Sequence, residues 1–204
     1  MITLDIPQNT EEWHKARLSI PTASMMSCII TAGGKASTQA DTYMNQLLAD
    51  WVAGYPVDHW EGNKFTEMGH EREPESIALY ELITGSKVNQ VGFVFRNEDR
   101  LVGCSPDGLV DELGLAEFKN PKGSTMISYL LGGKVPTTYV PQVQAQLWIT
   151  GREWCDFMFQ HPDLTHRIIR VERDEKYITL MSGMVSKFLE KMLAKREQLK
   201  QYKR

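Results

Sequence analysis

The chain has 204 residues, 42% of them hydrophobic and 24% charged, with a formal net charge of −3. That composition suits one globular domain, residues 1–204, burying its own core, and it excludes a globally basic nucleic-acid binder: any DNA contact must come from basic residues placed locally. No apolar run approaches membrane-spanning length, the opening M-I-T-L-D-I-P lacks the basic and apolar regions of a signal peptide, and three scattered cysteines (Cys28, Cys104, Cys155) fit reduced thiols in a cytoplasmic protein rather than a zinc site or disulfide framework.

In chain order, a short helix is predicted over Glu11 to Arg17 with Thr10 as its cap, and a second from Pro21-Thr22-Ala23-Ser24 toward Ile30, capped by Thr22. Gly33-Gly34-Lys35 reads as a loop. Ser37 to Val52 reads as an amphipathic helix with Tyr43, Leu47, Leu48 and Trp51 on one side. Phe65 to Ile83 reads as a longer helix ended by Thr84-Gly85. The period then changes. Val88 to Arg96, Leu101 to Ser105, Gly108 to Val110 and Leu115 to Lys119 read as strands. Two helices follow, Gly123 to Leu131 and Pro141 to Thr150, then strands Trp154 to Gln160 and His166 to Glu172. Asp174 caps a long final helix whose lysines and arginines form a solvated basic face opposite Phe188, Leu189, Met192 and Leu193. This order predicts an α/β or α+β domain with a mixed central sheet.

The chemistry concentrates in C-S-P-D-G-L-V-D-E-L-G-L-A-E-F-K-N-P-K, Cys104 to Lys122. Residues two apart on a strand share a face, so Glu117 and Lys119 project together while Phe118 points the other way. On spacing alone, Asp107 fits a Pro-Asp-Gly turn and Glu117–Lys119 a surface ion pair. Two features weigh against this: the strand is apolar (Leu115, Ala116, Phe118), and Pro121 stops it just after the charged pair. An acid and an amine side by side, with a second acid from a neighbouring strand, suit a hard cation and a water.

S-P-D-G-L at 105–109 followed by G-L-A-E-F-K-N-P at 114–121 resembles the PD-(D/E)xK nuclease superfamily, and within it the lambda-exonuclease-like family of viral recombination nucleases. Four further segments keep the family order: W-H-K-A-R-L with T-A-S, M-G-H-E-R-E at 68–73, Y-V-P-Q-V-Q at 139–144, and V-E-R-D-E-K-Y at 171–177. The resemblance implies a restriction-endonuclease-like core. It implies a magnesium site (manganese substituting) built from Asp107, Glu117 and the backbone carbonyl of Phe118. Lys119 would orient or help deprotonate the attacking water and offset charge. Glu73 would hold a metal-bound water or second ion, and Gln142 would lie beside the site. Arg17 would grip a 5′-terminal phosphate bidentately, joined by Thr22 and Ser24 at a helix start, by Lys35, and by Ser105 on the substrate strand.

The implied activity is 5′→3′ digestion of one strand of duplex DNA to 5′-mononucleotides, leaving 3′ tails for a single-strand annealing protein. The implied assembly is a ring-shaped homotrimer in the cytoplasm of a phage-infected or lysogenic bacterium. Alternatives are a restriction- or repair-type endonuclease of the same superfamily and a non-catalytic DNA-binding scaffold; decay to the latter would erode Asp107, Glu117 or Lys119 first, and all three are present. Three departures from the family stand out. Pro74 follows Glu73, where it would kink a helix. Thr66 stands at the apolar wedge position that parts the terminal base pair, leaving Phe65 or Met68 for that task. Asn120 replaces a cysteine.

Overall fold

The computed structural model of the protein describes residues 1–57 and 72–203. Strand β1 (Ile2–Leu4) leads into helix α1 (Glu11–Arg17), where the Thr10 hydroxyl accepts from the Trp13 backbone N–H at 3.3 Å and so caps the helix as expected. The next segment differs from expectation. Ala23–Cys28 is a 3₁₀ helix, and the Thr22 hydroxyl meets that of Ser24 at 3.2 Å instead of capping. Tertiary contacts explain the difference. The Thr22 backbone N–H donates to the Tyr43 hydroxyl, Thr22 bridges to Gly103, and Ala23, Met26, Ile29 and Ile30 all sink into the core.

Helix α2 (Ala40–Ala53) starts three residues later than Ser37, whose hydroxyl instead accepts from the Gln39 N–H in the preceding turn. Gly54 ends α2 with φ 80°. Helix α3 (Glu73–Thr84) ends at Gly85 in the left-handed conformation, as its sequence predicts. Pro74 does not kink it: the proline falls in the first turn, where no backbone N–H is needed by the helix.

Val88 to Arg96 is two strands rather than one: β2 (Val88–Asn89) and β3 (Phe93–Phe95) join different sheets. The chain crosses between them at Gly92, where an added Cβ would lie 1.9 Å from the Ile6 carbonyl oxygen. Strands β4 (Gly103–Cys104), β5 (Gly108–Val110) and β6 (Gly114–Lys119) follow, then helices α4 (Gly123–Gly132) and α5 (Val140–Thr150). Strands β7 (Trp154–Gln160) and β8 (His166–Glu172) precede helix α6 (Glu175–Leu199), whose first turn donates two backbone N–H groups to Asp174 Oδ1 at 3.0 Å. Arg196 on α6 departs from the solvated face expected for it. It is half-buried, and its guanidinium donates to the Ser19 carbonyl.

A small antiparallel sheet has the order β1-β3-β4; the main sheet is β2-β5-β6-β7-β8, mixed because β6 and β7 run parallel. The sheet is therefore mixed as expected, with the small sheet as an addition. Both faces of the main sheet are covered. Leu109, Leu115, Phe157 and Phe159 pack with Met126 of α4 and Val143 and Leu147 of α5; Val110, Ala116, Phe118 and Met158 pack with Tyr80 of α3. Helix α5 is buried nearly all round. Val143 and Leu147 face the main sheet, while Ala145 and Ile149 join the cluster formed with α2 and α6. Such a helix has no solvent for its polar side chains, so each of its buried glutamines needs a partner within the protein.

Candidate active site

Strand register brings the first pair of acids together. β5 and β6 are antiparallel with Gly108 opposite Ala116, so one step further along Asp107 stands beside Glu117. Asp107 is fastened to the residue next to Glu117: the Phe118 backbone N–H donates to Asp107 Oδ2 at 2.7 Å. The hairpin that fixes this register turns through Asp111, at φ 46°, and is pinned by Arg152, whose Nη1 donates to the carbonyls of Val110 (3.1 Å), Asp111 (3.0 Å) and Gly114 (2.7 Å). Gly114 is required there, since a Cβ would come within 2.1 Å of the Trp154 ring.

Glu117 and Lys119 share a face, as alternation predicts, and Phe118 packs opposite against Tyr80. The pair is no surface ion pair. Glu117 is 1% exposed, and Lys119 Nζ lies 2.5 Å from Glu117 Oε1. Gln142, at the start of α5, donates to the same oxygen at 2.6 Å. One turn later Gln146 donates to Oε2 at 2.7 Å. Gln146 was missed in the sequence: its partner Glu117 lies 29 residues away, and Gln144 on the same helix, equally polar, bonds Glu172 and Asp174 instead. Tyr139 adds a ring 5.7 Å from Lys119 Nζ, and burial pushes its hydroxyl up to about 12.

Burial raises the Asp107 carboxyl well above the usual carboxylate range, and the charges of Glu117 and Glu73 add to this against Lys119 and the Phe118 N–H. For Lys119, burial acts downward, but Glu117 and Asp107 outweigh it and hold the ammonium above the usual lysine range. Two acids therefore crowd one desolvated spot that a single ammonium does not neutralise. The donors are oxygens, and among the described residues no group of three or more His, Cys, Asp and Glu side chains converges. The side chains that could hold a metal here are the two carboxylates, oxygen donors of the kind that a hard cation takes.

Glu73 opens α3 and is close enough to raise Asp107; Gln90 Nε2 donates to its Oε1 at 3.4 Å. It lines a cavity of about 410 Å³ with residues of the Asp5–Asn9 segment and with Gln90, Val91 and Gly92. Asn120 ties the end of β6 to α3 through the Ser76 hydroxyl at 3.3 Å. The wedge candidates Phe65, Thr66 and Met68 lie outside the described residues.

The phosphate-binding candidates fall in three places. Arg17 and Thr22 line one cavity of about 190 Å³ with His14, Tyr43 and Asp50; Ser24 is not in its lining and meets only the Thr22 hydroxyl. Burial lowers the Arg17 pKa, and its guanidinium lies 4.0 Å over the Trp13 ring. Trp13 in turn reaches the acid loop: its indole N–H is shared between Ser105 Oγ at 2.8 Å and the Gly92 carbonyl at 3.2 Å. Gln8 holds the next residue, donating to the Pro106 carbonyl at 3.1 Å. Lys35 is exposed on the turn closed by Thr31 and belongs to neither group.

Known proteins share this arrangement of elements. A crystal structure of an alkaline exonuclease (LHK-Exo) from Laribacter hongkongensis matches with a TM-score of 0.83 at 36% identity, covering 94% of this chain and 97% of that one. The same enzyme in complex with dAMP gives 0.84 at 35%. A phage-related exonuclease from Haemophilus somnus, at 16% identity and a TM-score of 0.64, shares the fold. An uncharacterized protein of Acanthamoeba polyphaga mimivirus is 26% identical over 167 residues, which is 74% of this chain and 28% of that protein. Residues 12–153, the span that holds Trp13, the acid hairpin and α5, match the YqaJ-like viral recombinase domain, and with that match across most of its length the chain belongs to this family.

Proposed function

We propose that the protein is a magnesium-dependent exonuclease that digests one strand of double-stranded DNA from a 5′ end, releases 5′-mononucleotides and leaves a 3′ single-stranded tail. The observation that carries this reading is the convergence of Asp107 on the buried Glu117–Lys119 pair, anchored by the 2.7 Å bond from the Phe118 N–H. The likeness to LHK-Exo supports it, and so does that enzyme's complex with dAMP, a nucleoside monophosphate of the kind such a reaction releases.

Asp107, Glu117 and the Phe118 carbonyl would hold the ion, with manganese able to substitute and Glu73 acting through a water. When bound, magnesium makes a water easier to deprotonate and offsets charge on the phosphate. Lys119, held charged by its two acids, orients that water and stabilises the developing negative charge. Gln142 keeps Glu117 turned toward the site. Arg17, with Thr22 and Ser24, receives the 5′-terminal phosphate. Ser105 and Lys35 contact the backbone of the substrate strand. The protein acts as a ring-shaped homotrimer in the bacterial cytoplasm and hands its 3′ tail to a single-strand annealing protein in phage-type recombination. Among the described residues no helix is long and apolar enough to cross a membrane.

The test uses a linear duplex radiolabelled within one strand and incubated with magnesium or with chelator. Labelled 5′-mononucleotides must appear with magnesium only, and first from the 5′-terminal positions. Oligonucleotide products, or loss of label from 3′ ends, would contradict the reading.

A further inference from the structure

Two guanidiniums stand at the wall of the cavity that holds Arg17. Arg17 lines it directly, together with Ser19 and Thr22. Arg196 stands behind that wall: from the last turn of α6 its guanidinium donates to the Ser19 carbonyl, 177 residues away in sequence. Ser19 is 6% exposed and takes the left-handed conformation, φ 64°, which a residue with a Cβ keeps only when its surroundings hold it. The bond from Arg196 therefore steadies the turn that leaves α1 two residues after Arg17.

Arg196 is more than a tie for that turn. A neutral amide would satisfy one carbonyl; a guanidinium brings a charge whose burial costs free energy unless something offsets it. Among the described residues no carboxylate pairs with Arg196, and its Nε is buried with no hydrogen-bond partner. The adjacent acid, Glu197, is paired with Lys200 at 2.6 Å. Arg17 is in the same condition: burial lowers its pKa, and its guanidinium rests on the Trp13 ring with no carboxylate against it among the described residues. The Trp51 ring lies 5.6 Å from the Arg196 guanidinium but has Lys203 closer, at 4.6 Å, so it does not depend on Arg196 for a cation.

We propose that Arg196 is a positioning residue for the Arg17 cavity and its second positive charge, and that it strengthens the preference for a DNA end bearing a terminal phosphate over one bearing a hydroxyl. A phosphate monoester carries about −1.5 to −2 charge near pH 7. Arg17 supplies one positive charge, and Asp50, which also lines the cavity, opposes it, although its Oδ1 accepts from the Val57 N–H at 2.9 Å. A charge behind the backbone wall, partly shielded from solvent, narrows that deficit without touching the ligand. This rests on the reading of Arg17 as the receiver of the 5′-terminal phosphate, and it adds to that cavity a residue from the far end of the chain.

Initial rates on paired duplexes, identical but for a 5′-phosphate or a 5′-hydroxyl, give the ratio of kcat/KM for the two ends at low and at high salt. Arg196→Gln removes the charge and keeps a donor; Arg196→Lys keeps the charge. Arg196→Gln should lower the phosphate-to-hydroxyl ratio about fivefold at low salt, the scale of one partly screened charge, and less at high salt. Arg196→Lys should keep most of the ratio. Equal losses on both ends, or a ratio as low in Arg196→Lys as in Arg196→Gln, would overturn the proposal and leave Arg196 as a tie between α6 and α1 alone. Wild-type protein with no preference between the ends, or Arg17→Ala with the wild-type ratio, would overturn the Arg17 reading itself and the proposal with it. If Arg196→Gln does not fold, Arg196→Met keeps a stem to pack and drops the charge, and the same fall in ratio is required of it.

Discussion

In the proposed reaction, Lys119 is the side chain on which hydrolysis turns. Its ammonium lies against Glu117 and is held charged by that acid and Asp107. Lys119→Ala should lower the turnover of a labelled duplex by about 10²–10³-fold, the usual loss when one preorganised charge is removed from a transition state, while calorimetry still detects magnesium binding. Turnover equal to wild type would remove Lys119 from the chemistry. Asp107 makes a prediction in pH. Burial and Glu117 raise its folded pKa above the unfolded value, so the folded ion-free protein holds that proton more tightly. Its contribution to stability is full below the ordinary carboxylate pKa and is lost as pH rises through the raised one. In chelator, Asp107→Asn should therefore melt higher than wild type at alkaline pH, with the gap closing toward acid pH. A gap that widens toward acid would contradict this. These residues were legible because Glu117 and Lys119 obey strand alternation within an apolar run. Gln146 and Arg152 were not: their partners lie 29 and 38–42 residues away, a distance no local pattern spans.

At the scale of elements, α1 does two things at once. Arg17 projects from its last turn into the cavity it shares with Thr22, and Trp13 from its first turn ties α1 to Ser105, two residues before Asp107. The two tasks can be separated. Trp13→Phe keeps a ring beneath Arg17 but leaves the Ser105 hydroxyl and Gly92 carbonyl without the indole donor, at a cost of about 1–3 kcal/mol. It should lower stability and turnover yet keep the rate ratio of 5′-phosphorylated to 5′-hydroxyl ends. Arg17→Ala should collapse that ratio and leave the melting temperature nearly unchanged. The reverse pattern, measured on paired end-modified duplexes, would reassign both residues. The ends of α1 and α6 were readable because Thr10 and Asp174 cap them locally. The 3₁₀ segment Ala23–Cys28 was not, because bridging to Gly103 and bonding to Tyr43 override its own helical signal.

For the whole molecule, a net charge of −3 leaves little general attraction to DNA. The proposed ring closed around the duplex would supply attachment by topology instead, and would make a free end the condition for activity. The main sheet was foreseen from the order of helices and strands, while the small β1-β3-β4 sheet was not, because its strands are two or three residues long and the switch at Gly92 depends on the approach of Ile6. The most direct test of the central claim sets a linear 5′-phosphorylated duplex beside the same DNA as a covalently closed circle, both with magnesium, and measures released mononucleotides. The linear form should be consumed while the circle stays intact. A nicked or linearised circle would identify an endonuclease, and a linear duplex untouched by the wild-type protein would leave the Asp107, Glu117 and Lys119 site without hydrolytic activity.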